Sequence, residues 1–125
     1  MNKLIFVALG GGAGAVARYL VGLQATRRLG EAWPATLTVN VLGGLLMGLL
    51  AGWLAQRGED GERWRLLLGV GLLGGFTTFS AFSLETALML ERRAYGQAFG
   101  YAAASVLLSV AALFAGLIIA RRVLA

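Results

Sequence analysis

The residues of this 125-residue chain best suited to chemistry are neutral dipoles set among apolar neighbours. Thr36 and Asn40 stand four apart, and the same interval continues into Gly44, Gly48 and Gly52. Tyr101, Ser105 and Ser109 repeat that spacing, which puts three hydroxyls on one helix face. The densest stretch is Gly74-Gly75-Phe76-Thr77-Thr78-Phe79-Ser80-Ala81-Phe82-Ser83. Hydroxyls and amides in line offer O–H and N–H donors to an anion without supplying a fixed full charge. Phe79 and Phe82 share a helix face, and aromatic rings carry electropositive edges. Each feature has a plainer reading: Ser and Thr bond their own i−4 carbonyls, Asn40 bridges two helices, and a Phe pair packs a core. For a single Ser or Thr the plainer reading holds. Asn40 with a three-member track, beside a stretch that breaks a helix, favours a ligand path.

The elements that must position these groups follow from composition. The chain is 58% hydrophobic and 14% charged, with 19 Gly, no Cys and no His. Soluble domains carry roughly 25% charged residues, so this one is too apolar. Without Cys or His there is no disulfide, no ordinary zinc site and no imidazole acid–base work. No nucleophile–base–orienter set is present either, which argues against an enzyme. The apolar residues fall in four runs: Leu4–Leu23 with one charge (Arg18), and Ala35–Ala55, Leu66–Leu84 and Ala94–Ala120 with none. A helix needs about 20 apolar residues to cross a hydrocarbon core of about 30 Å. The runs lack the alternation of a membrane β-barrel. The reading is one all-α transmembrane domain over residues 1–125, with spans at about 4–23, 35–55, 66–89 and 96–120. Pro34 suits the first turn of the second helix, charged segments separate the runs, and Trp33, Trp53 and Trp64 sit at span ends.

Within the third span, two Gly followed by Thr-Thr make a poor helix interior. A break is expected there, and broken helices at membrane depth persist where they are buried in protein or line an ion site. Arg18 and Glu85 are the ionisable groups inside the spans, near the same membrane face; either they pair, or Arg18 concentrates anions at a pore mouth. Lys3, Arg57, Arg63, Arg65, Arg121 and Arg122 lie on the side of the termini, against Arg27, Arg28, Arg92 and Arg93, plus Arg18, on the other. So small a bias lets a hairpin protein insert either way up. Small residues recur every four positions at Gly44-Gly48-Gly52, Gly10-Gly14 and Gly96-Gly100-Ala104, more than four short helices need among themselves. An oligomer is therefore expected, with copies able to meet antiparallel.

Other readings fit less well. A signal peptide ending near Ala15-Val16-Ala17 is opposed by a run of full span length. The net charge of +5 suggests nucleic acid, but the basic residues mark span ends rather than one face, so no nucleic-acid partner is expected. A small proton-coupled exporter needs a carboxylate deep in its first helix, and none is there. A structural membrane subunit explains the glycine faces but not Asn40, the hydroxyl track and the broken helix together.

These residues resemble the fluoride channel family called Fluc or CrcB. The likeness runs through the whole chain: Gly11-Gly12-Ala13-Gly14-Ala15 with Arg18-Tyr19, then Thr38-Val39-Asn40-Val41-Leu42-Gly43, and most specifically Gly74 through Ser83. The resemblance implies an antiparallel, dual-topology homodimer in the plasma membrane of a prokaryote, multi-pass and present in both orientations. It implies two fluoride pores per dimer and a passive route for cytoplasmic fluoride to leave. Asn40 would donate to fluoride, Phe79 and Phe82 would line the pores, and Tyr101, Ser105 and Ser109 would form the polar track with Thr36 near its approach. Arg18 would stand at the vestibule. A structural sodium ion would be held by the backbone carbonyls of Gly74 and Thr77 from both copies. One departure is Ala81, at a place where the family often has Thr or Ser.

Overall fold

A computed structural model describes residues 2–124, and among them every regular element is helical. Helix α1 (Asn2–Leu29) ends in Arg27 and Arg28, whose charges suit the negative end of the helix dipole, and Gly30 takes a positive φ of 76° just beyond it. Helix α2 (Trp33–Leu54) opens with Pro34 in its first turn. The third span is composite. A short 3-10 turn (Gly58–Gly61) leads into α3 (Glu62–Trp64), a π-helical stretch (Arg65–Leu73) and α4 (Gly74–Phe76). Two extended residues follow, then α5 (Phe79–Glu91); α6 (Tyr95–Val123) closes the chain. Four segments, Lys3–Leu29, Trp33–Leu54, Gly58–Glu91 and Tyr95–Val123, are long and apolar enough to cross a membrane. The chain is a multi-pass helical membrane protein.

Two glycine-closed seams organise it. α1 packs on the arm before the break and α2 packs on α6, while α1 and α2 touch each other sparingly. A methyl group at Gly10 or Gly14 would fall on the Leu67 or Leu72 carbonyl, and one at Gly75 on the Gly11 carbonyl. Likewise Gly44, Gly48 and Gly116 press against the backbones of Ser109, Leu113 and Leu45. Such approach gives the van der Waals contact that holds helices together in lipid, where no hydrophobic push exists between them. Most of the glycine periodicity is thus consumed inside one chain, contrary to the expectation that four helices would not need it. Gly96 and Gly100 on α6 differ, since nothing lies within 4 Å of a Cβ built on either.

The small core of Met89, Ala98 and Tyr101, with Trp33, Leu37, Phe82 and Ala94 packed around it, ties α5 and α6 to the start of α2. Val39, Leu50 and Leu73 are buried along the seams, whereas many other large apolar side chains point outward, among them Leu4, Leu9, Phe99, Leu107 and Phe114. That outward display is what a lipid solvent permits.

Candidate functional site

The expected break falls two residues later than the glycines. Gly74 and Gly75 are helical, and the chain turns extended at Thr77 (ψ 157°) and Thr78 (φ −153°, ψ 125°). The glycines serve packing rather than unwinding, since Gly75 admits the α1 backbone. Gly43 on α2 performs a matching service: a Cβ there would occupy the Thr77 methyl. The β-branched pair can therefore lie directly on α2.

Asn40 holds the interruption in place. Its Nδ2 donates to the Thr78 carbonyl at 3.0 Å, and its Oδ1 accepts from the Thr78 N–H at 2.9 Å. One amide side chain thus replaces the partner that the Thr78 N–H lost on leaving the helix, and adds a second donor to the carbonyl that caps α5. In a continuous helix that Thr78 N–H would serve the Gly74 carbonyl, which is now without it. Thr77 ties back through both its N–H and its hydroxyl to the Leu73 carbonyl, at 3.0 and 2.9 Å. The Thr78 hydroxyl caps α5 by accepting from the Ala81 N–H at 3.2 Å. The second Nδ2 hydrogen of Asn40 remains for another acceptor.

On one side of this clamp lies a cavity of about 370 Å³. Asn40, Thr77, Thr78, Phe79, Phe82, Ser105 and Ser109 contribute to its wall. The hydroxyl oxygens of Ser105 and Ser109 are buried and have no hydrogen-bond partner. Thr38 and Ser83 follow the plainer pattern, bonding the Pro34 carbonyl at 2.7 Å and the Phe79 carbonyl at 2.9 Å, while Thr86, which is also unpaired, lies away from this cavity. Leaving a buried hydroxyl unpaired costs about 1–3 kcal/mol, so two lining one cavity are two donors in want of an acceptor. The rings of Phe79 and Phe82 stand 5.4 Å apart, Phe82 and Tyr101 5.2 Å, and Tyr101 and Trp33 5.5 Å, forming an aromatic ladder toward the end of the bundle. Phe79 is 78% exposed, so this chain alone leaves its ring uncovered.

A second cavity, of about 290 Å³, lies on the other side of Thr78 and carries Arg18, Thr36 and Glu85 in its wall. Here the hydroxyls are committed. Thr36 Oγ1 donates to Glu85 Oε2 and Tyr101 OH to Glu85 Oε1, both at 2.7 Å. The expected track Tyr101-Ser105-Ser109 is therefore divided, with its first member and Thr36 serving a carboxylate and the other two free. Arg18 does not bond Glu85 as one sequence reading had it; its Nε donates to the Gly75 carbonyl at 3.2 Å, just before the break. Sequence reasoning treated Glu85 only as a partner for Arg18 and gave Thr78 no separate role. The available signal was the intramembrane carboxylate itself, three residues beyond Phe82 on the same face. Of the two residues expected to offer backbone carbonyls, Gly74 is still helical just before the break and Thr77 opens it. Among the described residues no cluster of three His, Cys, Asp or Glu side chains exists to hold a metal.

Fold and site together define a small helical membrane protein whose third span is interrupted and pinned by an amide, beside a cavity lined with neutral donors. Residues 5–117 match the family described as "CrcB-like protein, Camphor Resistance (CrcB)", and the chain belongs to that family. It is 68% identical over 127 aligned residues to a protein of Caulobacter vibrioides, covering 100% of both chains. It is 69% identical to one of Phenylobacterium zucineum, again over 100% of both, and 56% identical to one of Novosphingobium aromaticivorans over 98% and 99%. Each of these relatives bears the name "Fluoride-specific ion channel FluC", the name of a channel and not of an enzyme.

Proposed function

We propose that this chain is a fluoride-selective passive channel that lets cytoplasmic fluoride leave the cell. The observation that carries the reading is the cavity beside the break, where the spare Asn40 N–H, the unpaired Ser105 and Ser109 hydroxyls and the Phe79 and Phe82 rings meet. A small, strongly hydrated anion surrenders water only to several donors at once. Neutral amides, hydroxyls and ring edges supply them without a fixed cation that would hold the ion too tightly to conduct. The names borne by relatives of more than half identity support fluoride as that anion. In this reading Asn40, Phe79, Phe82, Ser105 and Ser109 handle the dehydrated ion. Tyr101, Thr36 and Glu85 form the polar approach, and Arg18 raises the anion concentration at its mouth.

The working unit is an antiparallel homodimer with two pores, inserted in both orientations in the cell membrane. The nearly balanced basic residues at the two membrane faces, the uncovered Phe79 ring and the open Gly96-Gly100 stripe support it. A structural sodium ion fits the same arrangement. Each chain contributes the Gly74 carbonyl, deprived of its helical donor, and the Thr77 carbonyl, turned out of the helix direction; a second copy doubles the set. When bound, the ion supplies positive charge that balances those carbonyl dipoles at the subunit contact.

The test is anion flux from liposomes containing the purified chain, with neither a nucleotide nor a proton gradient supplied. Fluoride should pass far faster than chloride. Chloride passage at a comparable rate would refute the selectivity.

A further inference from the structure

We propose that the wedge between α1 and α2 is a binding groove for an anionic phospholipid, with an acyl chain between the helices and the phosphate at Arg28, beside Arg27 at the basic end of α1. The wedge exists because these consecutive helices spend their glycine faces elsewhere, α1 on the arm before the break and α2 on α6. Between them opens a cavity of about 380 Å³, walled mostly by apolar groups of Val21, Ala25 and Leu29 on α1 and Pro34 and Ala35 on α2. Gln24 and Thr38 (its hydroxyl bonded to the Pro34 carbonyl) are also in the wall, and Arg28 is at its rim. From Val21 to Leu29 the wall is about 12 Å long at the helical rise. It is apolar toward the middle of the span and basic where α1 ends, which is the polarity of a lipid read from tail to phosphate.

The arginines are available to such a ligand. The only ion pair among the described residues joins Glu62 to Arg65, far from this corner in sequence. Glu31, the acid closest to Arg28 in the chain, accepts from the Trp33 indole at 3.1 Å. Charge also decides against a second copy as occupant. A parallel copy would bring Arg27, Arg28, Arg92 and Arg93 to this level against only Glu31 and Glu91, and an antiparallel one Lys3, Arg57, Arg63, Arg65, Arg121 and Arg122 against only Glu59, Asp60 and Glu62, so either level stays net positive. An anionic lipid is the complement that the membrane supplies. Ala35 contributes to this groove and also to the cavity of Arg18 and Glu85, so a seated lipid backs the wall of that polar chamber.

Native mass spectrometry of the full chain in detergent, titrated with equal amounts of phosphatidylglycerol and phosphatidylcholine, tests the assignment. Phosphatidylglycerol adducts should exceed phosphatidylcholine adducts by about five- to thirtyfold, the range for one or two arginines near the phosphate at about 1 kcal/mol each. R27Q/R28Q should equalise the two lipids and R27K/R28K should retain the preference. A25L should lower occupancy by both, and R121Q/R122Q, an equally basic helix end, should change nothing. Equal binding by the wild type would overturn the proposal, as would a preference that survives R27Q/R28Q or disappears in R121Q/R122Q. Displacement of the lipid by inorganic phosphate would show a free-phosphate site instead, and adducts lost whenever the chain dimerises would assign the groove to a second copy.

Discussion

Ser105 and Ser109 on one side of Thr78, and Thr36 and Tyr101 on the other, are hydroxyls of similar chemistry in opposite states. The serines face a cavity with no acceptor, whereas Thr36 and Tyr101 each spend their proton on Glu85. The difference lies in one carboxylate. It saturates and orients the donors beside it, and its negative charge opposes an anion there unless Arg18 offsets it. The serines, out of its reach, keep their donors free at the cost of being unpaired in a low-dielectric interior. In the proposed channel the donors left for a passing ion are those that nothing else binds, and the residue between the two chambers is the one that Asn40 clamps.

That contrast can be broken most severely at the clamp. Asn40→Ala orphans the N–H of Thr78, at about 1–3 kcal/mol, and removes from the cavity a donor worth about 1.5–3 kcal/mol to a charged acceptor. The lost donor alone, with each 1.4 kcal/mol of barrier worth about tenfold, should lower fluoride flux by about ten- to hundredfold; unchanged flux would remove Asn40 from the pathway. Phe79→Ile and Phe82→Ile come next, with a drop of about tenfold while the proposed dimer elutes as the parent chain does on size-exclusion chromatography. Wild-type flux in both would return the rings to packing. Ser109→Ala and Thr36→Val then sharpen the comparison directly. Ser109→Ala should lower flux several-fold yet leave thermal stability unchanged or raised, because it deletes a hydroxyl with no partner. Thr36→Val should cost stability by about 1.5–3 kcal/mol, because it takes a hydrogen bond from a carboxylate. The reverse pattern would show that the two hydroxyl sets have been assigned the wrong way round. The smallest effect belongs to Ser83→Ala, an exposed hydroxyl bonded to its own preceding turn, where stability should move within about 0.5 kcal/mol and flux should not move.

Much of this architecture is legible in residue order. Four apolar runs separated by charged segments become four span-length helices, and Pro34 and the Thr-Thr pair sit where a helix starts and stops. The family likeness of Gly74 through Ser83 is equally visible. Less legible are the roles within these patterns. Repeated glycines read alike whether they face a neighbour in the same chain or a second copy, since spacing records which residues share a face and not what that face meets. Gly10, Gly14, Gly44 and Gly48 turn out to be internal, while Gly96 and Gly100 stay open. Similarly, Gly74-Gly75 looks like the point of unwinding, yet backbone contact with Gly11 keeps Gly75 helical and passes the break on to Thr77 and Thr78.

Apolar length and charge punctuation are local properties, so the chain by itself decides that it crosses a membrane four times, that its third crossing is weak, and that its interior polarity is neutral. Which hydroxyls remain free, and that Arg18 turns to the Gly75 carbonyl rather than to Glu85, are settled only by tertiary contacts. A hydrogen bond is allotted by distances of a few tenths of an ångström between groups tens of residues apart. The 49 positions separating Thr36 from Glu85 carry no trace of that allotment until α2 and α5 are brought side by side.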